Sequence, residues 1–184
     1  YQSRLSPSAG ARRRATAADT LRRAMGHHFI CPNCGRRSAV KDRTAGFRRE
    51  HPGCGSCGFG FLFELLDDYY PAPNAAFFVC DRRGAVIACG RGAFELTGVG
   101  DERAIGRPVG EVLGLDFASG EDTIATVLEW GVRKLGQPVT VRAEGDLPVE
   151  AIADIFPAYD DDGGMLVVLT PARDQATGSG QTSR

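Results

Sequence analysis

Hydrophobic and polar positions divide the 184-residue chain into two structured stretches between polar ends. The second stretch carries the clearer pattern. Residues 75–80 are an apolar run, Asp81-Arg82-Arg83-Gly84 has turn chemistry, and residues 85–88 are a second run, so a β-hairpin is expected. Residues 91–97 predict a short helix stopped by Gly98, and 101–105 and 109–113 predict single-turn helices broken by Gly106 and Pro108. Ser119-Gly120-Glu121-Asp122 has the spacing of a capping box and starts the longest expected helix, 120–135. Ile124, Val127, Leu128 and Leu135 follow helical spacing on it, and Trp130 beside them is expected to pack against the sheet. Val139, Val141 and Ala143 then alternate with polar neighbours, and residues 149–157 continue as strand. Residues 160–164, Asp-Asp-Asp-Gly-Gly, read as a hairpin turn before an apolar closing strand over 165–170.

The first stretch is shorter. Phe59, Phe61, Phe63 and Leu65 fall on one face of an expected strand over 59–65, and residues 38–41 and 47–50 predict two more short strands. Upstream, Thr16-Ala17-Ala18-Asp19 resembles a capping box, Leu21 and Met25 share a face, and Gly26 is a stop. Asp67 to Asn74 is polar and Pro-rich and places a domain boundary near residue 70. The expected order is a disordered basic tail over 1–15, a short helix over 16–26, a small module over 27–66, the main domain over 70–171 and a disordered tail over 172–184. The class is α+β, an antiparallel sheet with short helices.

Cysteine spacing changes the picture of the small module. Cys31-Pro32-Asn33-Cys34-Gly35 and Cys54-Gly55-Ser56-Cys57-Gly58 place two C-x-x-C pairs nineteen residues apart. Tetrahedral Zn²⁺ takes four thiolates at about 2.3 Å, and a C-x-x-C turn supplies two of them from one corner. Glycine after each pair suits that corner, and the spacing falls within the zinc-site range. Cys31, Cys34, Cys54 and Cys57 are therefore the expected ligands of a structural zinc. Iron stays open as the second metal, because such knuckles also serve rubredoxin-like sites. Disulfides or free thiols are the opposing reading, disfavoured because the polar, Arg-rich N-terminus has no apolar signal core. His27, His28 and His51 flank the module, and His51, three residues before Cys54, is the alternative ligand. So few residues bury too little surface to be stable alone, so bound metal is expected to supply much of the folding energy.

The net charge of −1 hides an asymmetry. Residues 1–60 carry twelve Lys/Arg and three Asp/Glu, a surplus of nine positive charges, and residues 61–184 carry ten and twenty, a surplus of ten negative. A basic head of this kind suits nucleic-acid contact, and equally suits attraction to the acidic body. Arg12-Arg13-Arg14 reads as solvated charge or as a phosphate-binding arm. No run approaches the eighteen apolar residues of a membrane helix. No G-x-S-x-G, P-loop or H-E-x-x-H is present, so no enzyme is expected.

Three blocks in order resemble the PAS family: Phe78-Val-Cys-Asp-Arg-Arg-Gly84, Ala93-Phe-Glu-Leu-Thr-Gly98 and Ile105-Gly-Arg-Pro108. Gly92 stands where the family usually has Asn, and Val99 where it usually has an aromatic residue. The resemblance, over about residues 70–171, implies a sheet wrapped around short helices with an internal pocket. Light-sensing members carry a reactive cysteine near the third block, but residues 106–110 have none, and all three histidines lie outside 70–171. Neither flavin nor haem is therefore expected. Cys80 and Cys89 are expected as small apolar fillers rather than as a disulfide or as ligands. The upstream four-cysteine module resembles a zinc ribbon. Family members commonly pair through the segment just before their first strand together with the outer sheet face, so a homodimer is expected, with some of Phe59, Phe61 and Phe63 against the PAS sheet or a second chain. The resulting expectation is a cytoplasmic sensory or protein-interaction module acting in transcription. The alternatives are a nucleic-acid-binding regulator that uses the basic ribbon, and a structural adaptor with an empty pocket.

Overall fold

The computed structural model describes residues 27–40, 53–65, 69–143, 148–158 and 163–172. The expected helix over 16–26, the strand over 47–50, His51, the Asp160–Asp162 part of the closing turn and nearly all of both tails lie outside the described residues.

Among the described residues two antiparallel sheets form. The smaller has the order β2-β1-β3, from β1 (His27–Ile30), β2 (Arg37–Val40) and β3 (Phe63–Leu65). The strand expected over 59–65 is cut to its last three residues. The Phe59 carbonyl is turned to accept from the Cys54 N–H (2.7 Å), which commits that end of the segment to a turn. β1 was not expected. It becomes a strand because β2 and β3 pair with its two sides, with Ile30 opposite Arg37 on one side and Phe63 on the other.

The larger sheet has the order β5-β4-β9-β8-β7-β6. Its strands are β4 (Ala76–Cys80), β5 (Val86–Cys89), β6 (Leu115–Phe117), β7 (Lys134–Val141), β8 (Val149–Pro157) and β9 (Met165–Pro171). Between β5 and β7 lie α1 (Ala93–Thr97), α2 (Asp101–Ala104), α3 (Val109–Val112) and α4 (Thr123–Trp130). The hairpin, the three short helices and the last two strands match the sequence pattern. The long helix does not. It is eight residues, because Gly131 adopts φ 60 and its N–H closes on the Val127 carbonyl, after which Lys134 is drawn into register with Ile155. The cap is Asp122, whose side chain accepts from the Ala125 N–H (2.9 Å), and Ser119 instead accepts from Glu121. Trp130 ends the helix, where no further turn carries it over the sheet, and is 70% exposed.

Strand alternation gives the large sheet two apolar faces. Ala76, Phe78 and Cys80 of β4 and Met165, Val167 and Leu169 of β9 face the helices in one core. Phe77 and Val79 of β4, Leu166 and Val168 of β9 and Phe156 of β8 face the other way and are as deeply buried. What covers them is the small sheet: Ile30 and Phe63 complete that second core, with Phe59 and Phe61 at its edge. The aromatic face of the first stretch thus lies against the large sheet of the same chain.

Candidate metal centre

Two turns of matching geometry build the centre. In the first, the Cys31 N–H donates to the Arg36 carbonyl (3.0 Å) and the Gly35 N–H to the Cys31 carbonyl (2.8 Å). In the second, Cys54 donates to Phe59 (2.7 Å) and Gly58 to Cys54 (2.8 Å). Both turns close through the left-handed region, at φ 70 for Gly35 and 75 for Gly58, where a side chain would strain the backbone. Side chains lace one turn to the other: Arg36 Nη1 donates to Ser56 Oγ (3.1 Å) and Asn33 Nδ2 to Cys57 Sγ (3.6 Å).

The four sulfurs predicted as ligands meet. Cys31 Sγ lies 3.6 Å from Cys57 Sγ, Cys34 Sγ lies 3.6 Å from Cys54 Sγ, and all four fall within 4.8 Å of one another. A metal with four bonds of about 2.3 Å at the centre of a tetrahedron needs edges of about 3.8 Å. The donor set therefore fits zinc in spacing, number and softness. Cys31 and Cys54 are buried, Cys34 and Cys57 exposed, so one side of the centre faces the protein and the other faces water.

Electrostatics differ between the turns. Burial pushes the Cys31 thiol up to about 12, against the pull of the Cys34 and Asn33 amides. The Arg36 amide pulls on Cys34, but burial and the neighbouring thiols outweigh it and leave that thiol raised. In the second turn the amides dominate. Hydrogen bonds from Ser56 and Cys57 bring Cys54 down to about 6, and the Phe59 amide lowers Cys57. Amides aimed at sulfur favour the thiolate, the form that binds metal.

The centre abuts the large sheet through residues that sequence reasoning did not single out. Ile30, buried under the sheet, is joined directly to Cys31. The Arg91 N–H, two residues past β5, donates to the Pro32 carbonyl inside the first turn (2.9 Å), while the Arg91 carbonyl accepts from the Phe77 N–H of β4 (3.1 Å). Gly90 permits this approach, since a Cβ there would stand 2.5 Å from the Pro32 oxygen. The Arg91 guanidinium lies against Gly35, the residue after Cys34, with Nη1 2.7 Å from where a Cβ would be. Further along, Arg37 sits over the Tyr70 ring (4.2 Å), and the Tyr69 hydroxyl donates to Asp154 on the outer face of β8 (2.7 Å). The signal for Gly90 is one a single sequence cannot display, a close contact between residues more than fifty positions apart.

Cys80 is buried in the core that faces the helices, and Cys89 is half-buried at its edge. A cleft of about 540 Å³ opens on the helical side between α3, β6 and α4, floored by Val109, Leu115 and Leu128, with Arg83, Glu111 and Glu121 also lining it. Among the described residues no helix is long and apolar enough to cross a membrane.

No protein-family model and no curated protein matches the chain. Solved structures do. The PAS domain of a protein from Colwellia psychrerythraea is 21% identical, covering 53% of this chain and 86% of its own, with a TM-score of 0.43. The PAS domain of nitrogen regulation protein NR(II) from Vibrio parahaemolyticus is 16% identical, covering 54% and 91%, with a TM-score of 0.45. The LOV protein of Rhodobacter sphaeroides is 14% identical, covering 58% and 64%, with a TM-score of 0.48. The hairpin, the run of short helices and the three closing antiparallel strands follow the element order expected of a PAS domain, and the four-cysteine module precedes them.

Proposed function

We propose that the chain is a metal-held sensory or interaction module of the cytoplasm. In this reading a zinc ribbon, built on Cys31, Cys34, Cys54 and Cys57, is seated on a PAS unit that passes its state to the transcription machinery by contact rather than by catalysis. The observation that carries it is the four-sulfur cluster set against the outer face of the sheet. Zinc bound there would act as a crosslink between the two turns and hold Ile30 and Phe63 in place, which is structural work with no proton transfer. The cleft between α3, β6 and α4 supports reception of a small ligand, and the absence of His from residues 70–171 supports a ligand other than haem. Flavin photochemistry has no cysteine near Val109 to use. Pairing of two copies through the outer sheet face requires that the ribbon leave it.

A second reading, nucleic-acid binding by the basic head, rests on the surplus of nine positive charges in residues 1–60. A salt titration of DNA binding tests it, because phosphate contacts give a steep fall in affinity with salt. Native mass spectrometry of freshly purified protein tests the first reading. One zinc per chain and no flavin or haem mass is the expected result. A chain without metal would remove the basis of the proposal.

A further inference from the structure

Arg91 meets the first cysteine turn with both its backbone and its side chain. Its N–H holds the carbonyl of Pro32, which lies between Cys31 and Cys34 (2.9 Å). Its guanidinium lies against Gly35, where a Cβ would stand 2.7 Å from Nη1 and 3.1 Å from Cζ. Cζ also lies 5.3 Å from the centre of the Phe77 ring. The side chain is half-buried and its Nε is shut off from water. Among the described residues Nε has no acceptor, and no carboxylate pairs with the guanidinium.

Taking a cation part-way out of water without an anion beside it is costly. The fold nevertheless fixes this one in place, by the bond to Pro32 and by the bond its own carbonyl accepts from the Phe77 N–H (3.1 Å). We propose that Arg91 is the counter-cation of the four-cysteine centre, and that it suits the centre to a divalent rather than a trivalent metal. The inference rests on the reading of Cys31, Cys34, Cys54 and Cys57 as metal ligands. Four thiolates carry a net charge of −2 with a divalent ion and −1 with a trivalent one. A fixed positive charge at the edge of the centre stabilises the first more than the second, by the interaction of one further unit charge with its field. Zinc and ferrous iron therefore gain from Arg91, and ferric iron gains less. This separates the two metals that the cysteine spacing leaves open.

Arginine fits this task because its guanidinium is planar and stays charged at any working pH. Its burial limits screening by salt. Arg36, the cation inside the first turn itself, differs on this point. Its Nη1 donates to Ser56 Oγ (3.1 Å) in an exposed position, where water and salt screen its charge. The large sheet thus supplies the centre with a charge that the turns do not hold in shelter, through a residue two positions past β5.

The test uses the full chain. Zinc affinity is measured by competition with a chromophoric chelator on wild type, Arg91→Gln, Arg91→Met and Arg91→Lys, all of which keep the backbone bond to Pro32. Methionine keeps an unbranched apolar stem and serves where glutamine disturbs folding. Loss of a group behind metal ligands typically costs about 10–100-fold, so Gln and Met should each weaken zinc about tenfold and Lys, which keeps the charge, by less than about threefold. Arg36→Gln should stay near wild type. The same chains reconstituted with iron are then titrated between Fe(III) and Fe(II). Gln and Met should lower the midpoint, by about 59 mV for each tenfold loss of preference for the divalent ion, and Lys should leave it in place. A packing role alone would group Lys with Gln and Met and would not move the midpoint. Equal zinc affinity in all four chains, Lys grouped with the neutral variants, or an unmoved midpoint overturns the proposal. Where a chain does not take iron, the order of zinc affinities decides alone. A wild-type chain that neither holds nor takes up metal contradicts the reading of the cysteines; one that holds metal without these differences contradicts only the role of Arg91.

Discussion

Phe63→Ala probes the joint between the small and the large sheet. Phe63 is 3% exposed and packs with Phe77, Val79, Phe156, Leu166 and Val168, all of them buried strand residues with no room to collapse into the gap. A buried Phe removes about 200 Å² from water. At about 25 cal/mol per Å² that is about 5 kcal/mol as an upper bound, and truncation of a buried Phe to Ala typically costs about 3–5 kcal/mol. Such a loss is a large part of the roughly 5–15 kcal/mol that holds a domain folded. Urea unfolding of the zinc-loaded chain, followed by circular dichroism, should therefore move to markedly lower midpoint. Proteolysis between β3 and β4 should quicken, while zinc content stays at one per chain because no ligand is altered. Phe94→Ala is the control, since Phe94 is 64% exposed and its removal should change stability by less than about 0.5 kcal/mol. If Phe63→Ala costs no more than Phe94→Ala, the ribbon is not seated on the sheet as described.

Asp122→Ala removes the cap of α4 and should lower stability by about 1 kcal/mol in the same urea assay. Trp130, 70% exposed, should fluoresce with the red-shifted emission of a hydrated indole and be quenched freely by iodide; a shielded, blue-shifted indole would show that another surface covers it. Burial, then Asp81, raises the Cys80 thiol, and burial, then Asp101, raises Cys89 to about 12. Both protons are thus lost first from the unfolded chain, so stability should hold below about pH 8.5 and fall as pH rises toward 12. The double variant Cys80→Ala, Cys89→Ala should fall less steeply over that window, and an unchanged slope would contradict the assignment.

The convergence of the four thiols was legible because its chemistry is local: four cysteines, two glycines and a spacing are all that two such turns require. The β4–β5 hairpin and the strand from Val149 to Pro157 were legible for the same reason, each being set by alternation and a nearby turn. The helix was overrun to residue 135 because Leu135 continues its stripe, whereas pairing of Lys134 with Ile155 on another strand decided the matter. β1, whose sequence His27-His28-Phe29-Ile30 does not alternate, and β6, of three residues, exist only through their partners. The aromatic alternation at 59–65 foretold a covered face and left open whose. The answer lies in Ile30, Phe63 and Gly90, whose contacts span distances along the chain that periodicity does not reach.

X-ray absorption at the zinc edge, on the full chain as purified, tests the central claim most directly. A first shell of four sulfurs at about 2.3 Å, lost together when Cys31 is changed to Ser, is the result expected from the four converging thiols. A shell containing nitrogen or oxygen, fewer than four sulfurs, or no zinc at all would contradict it.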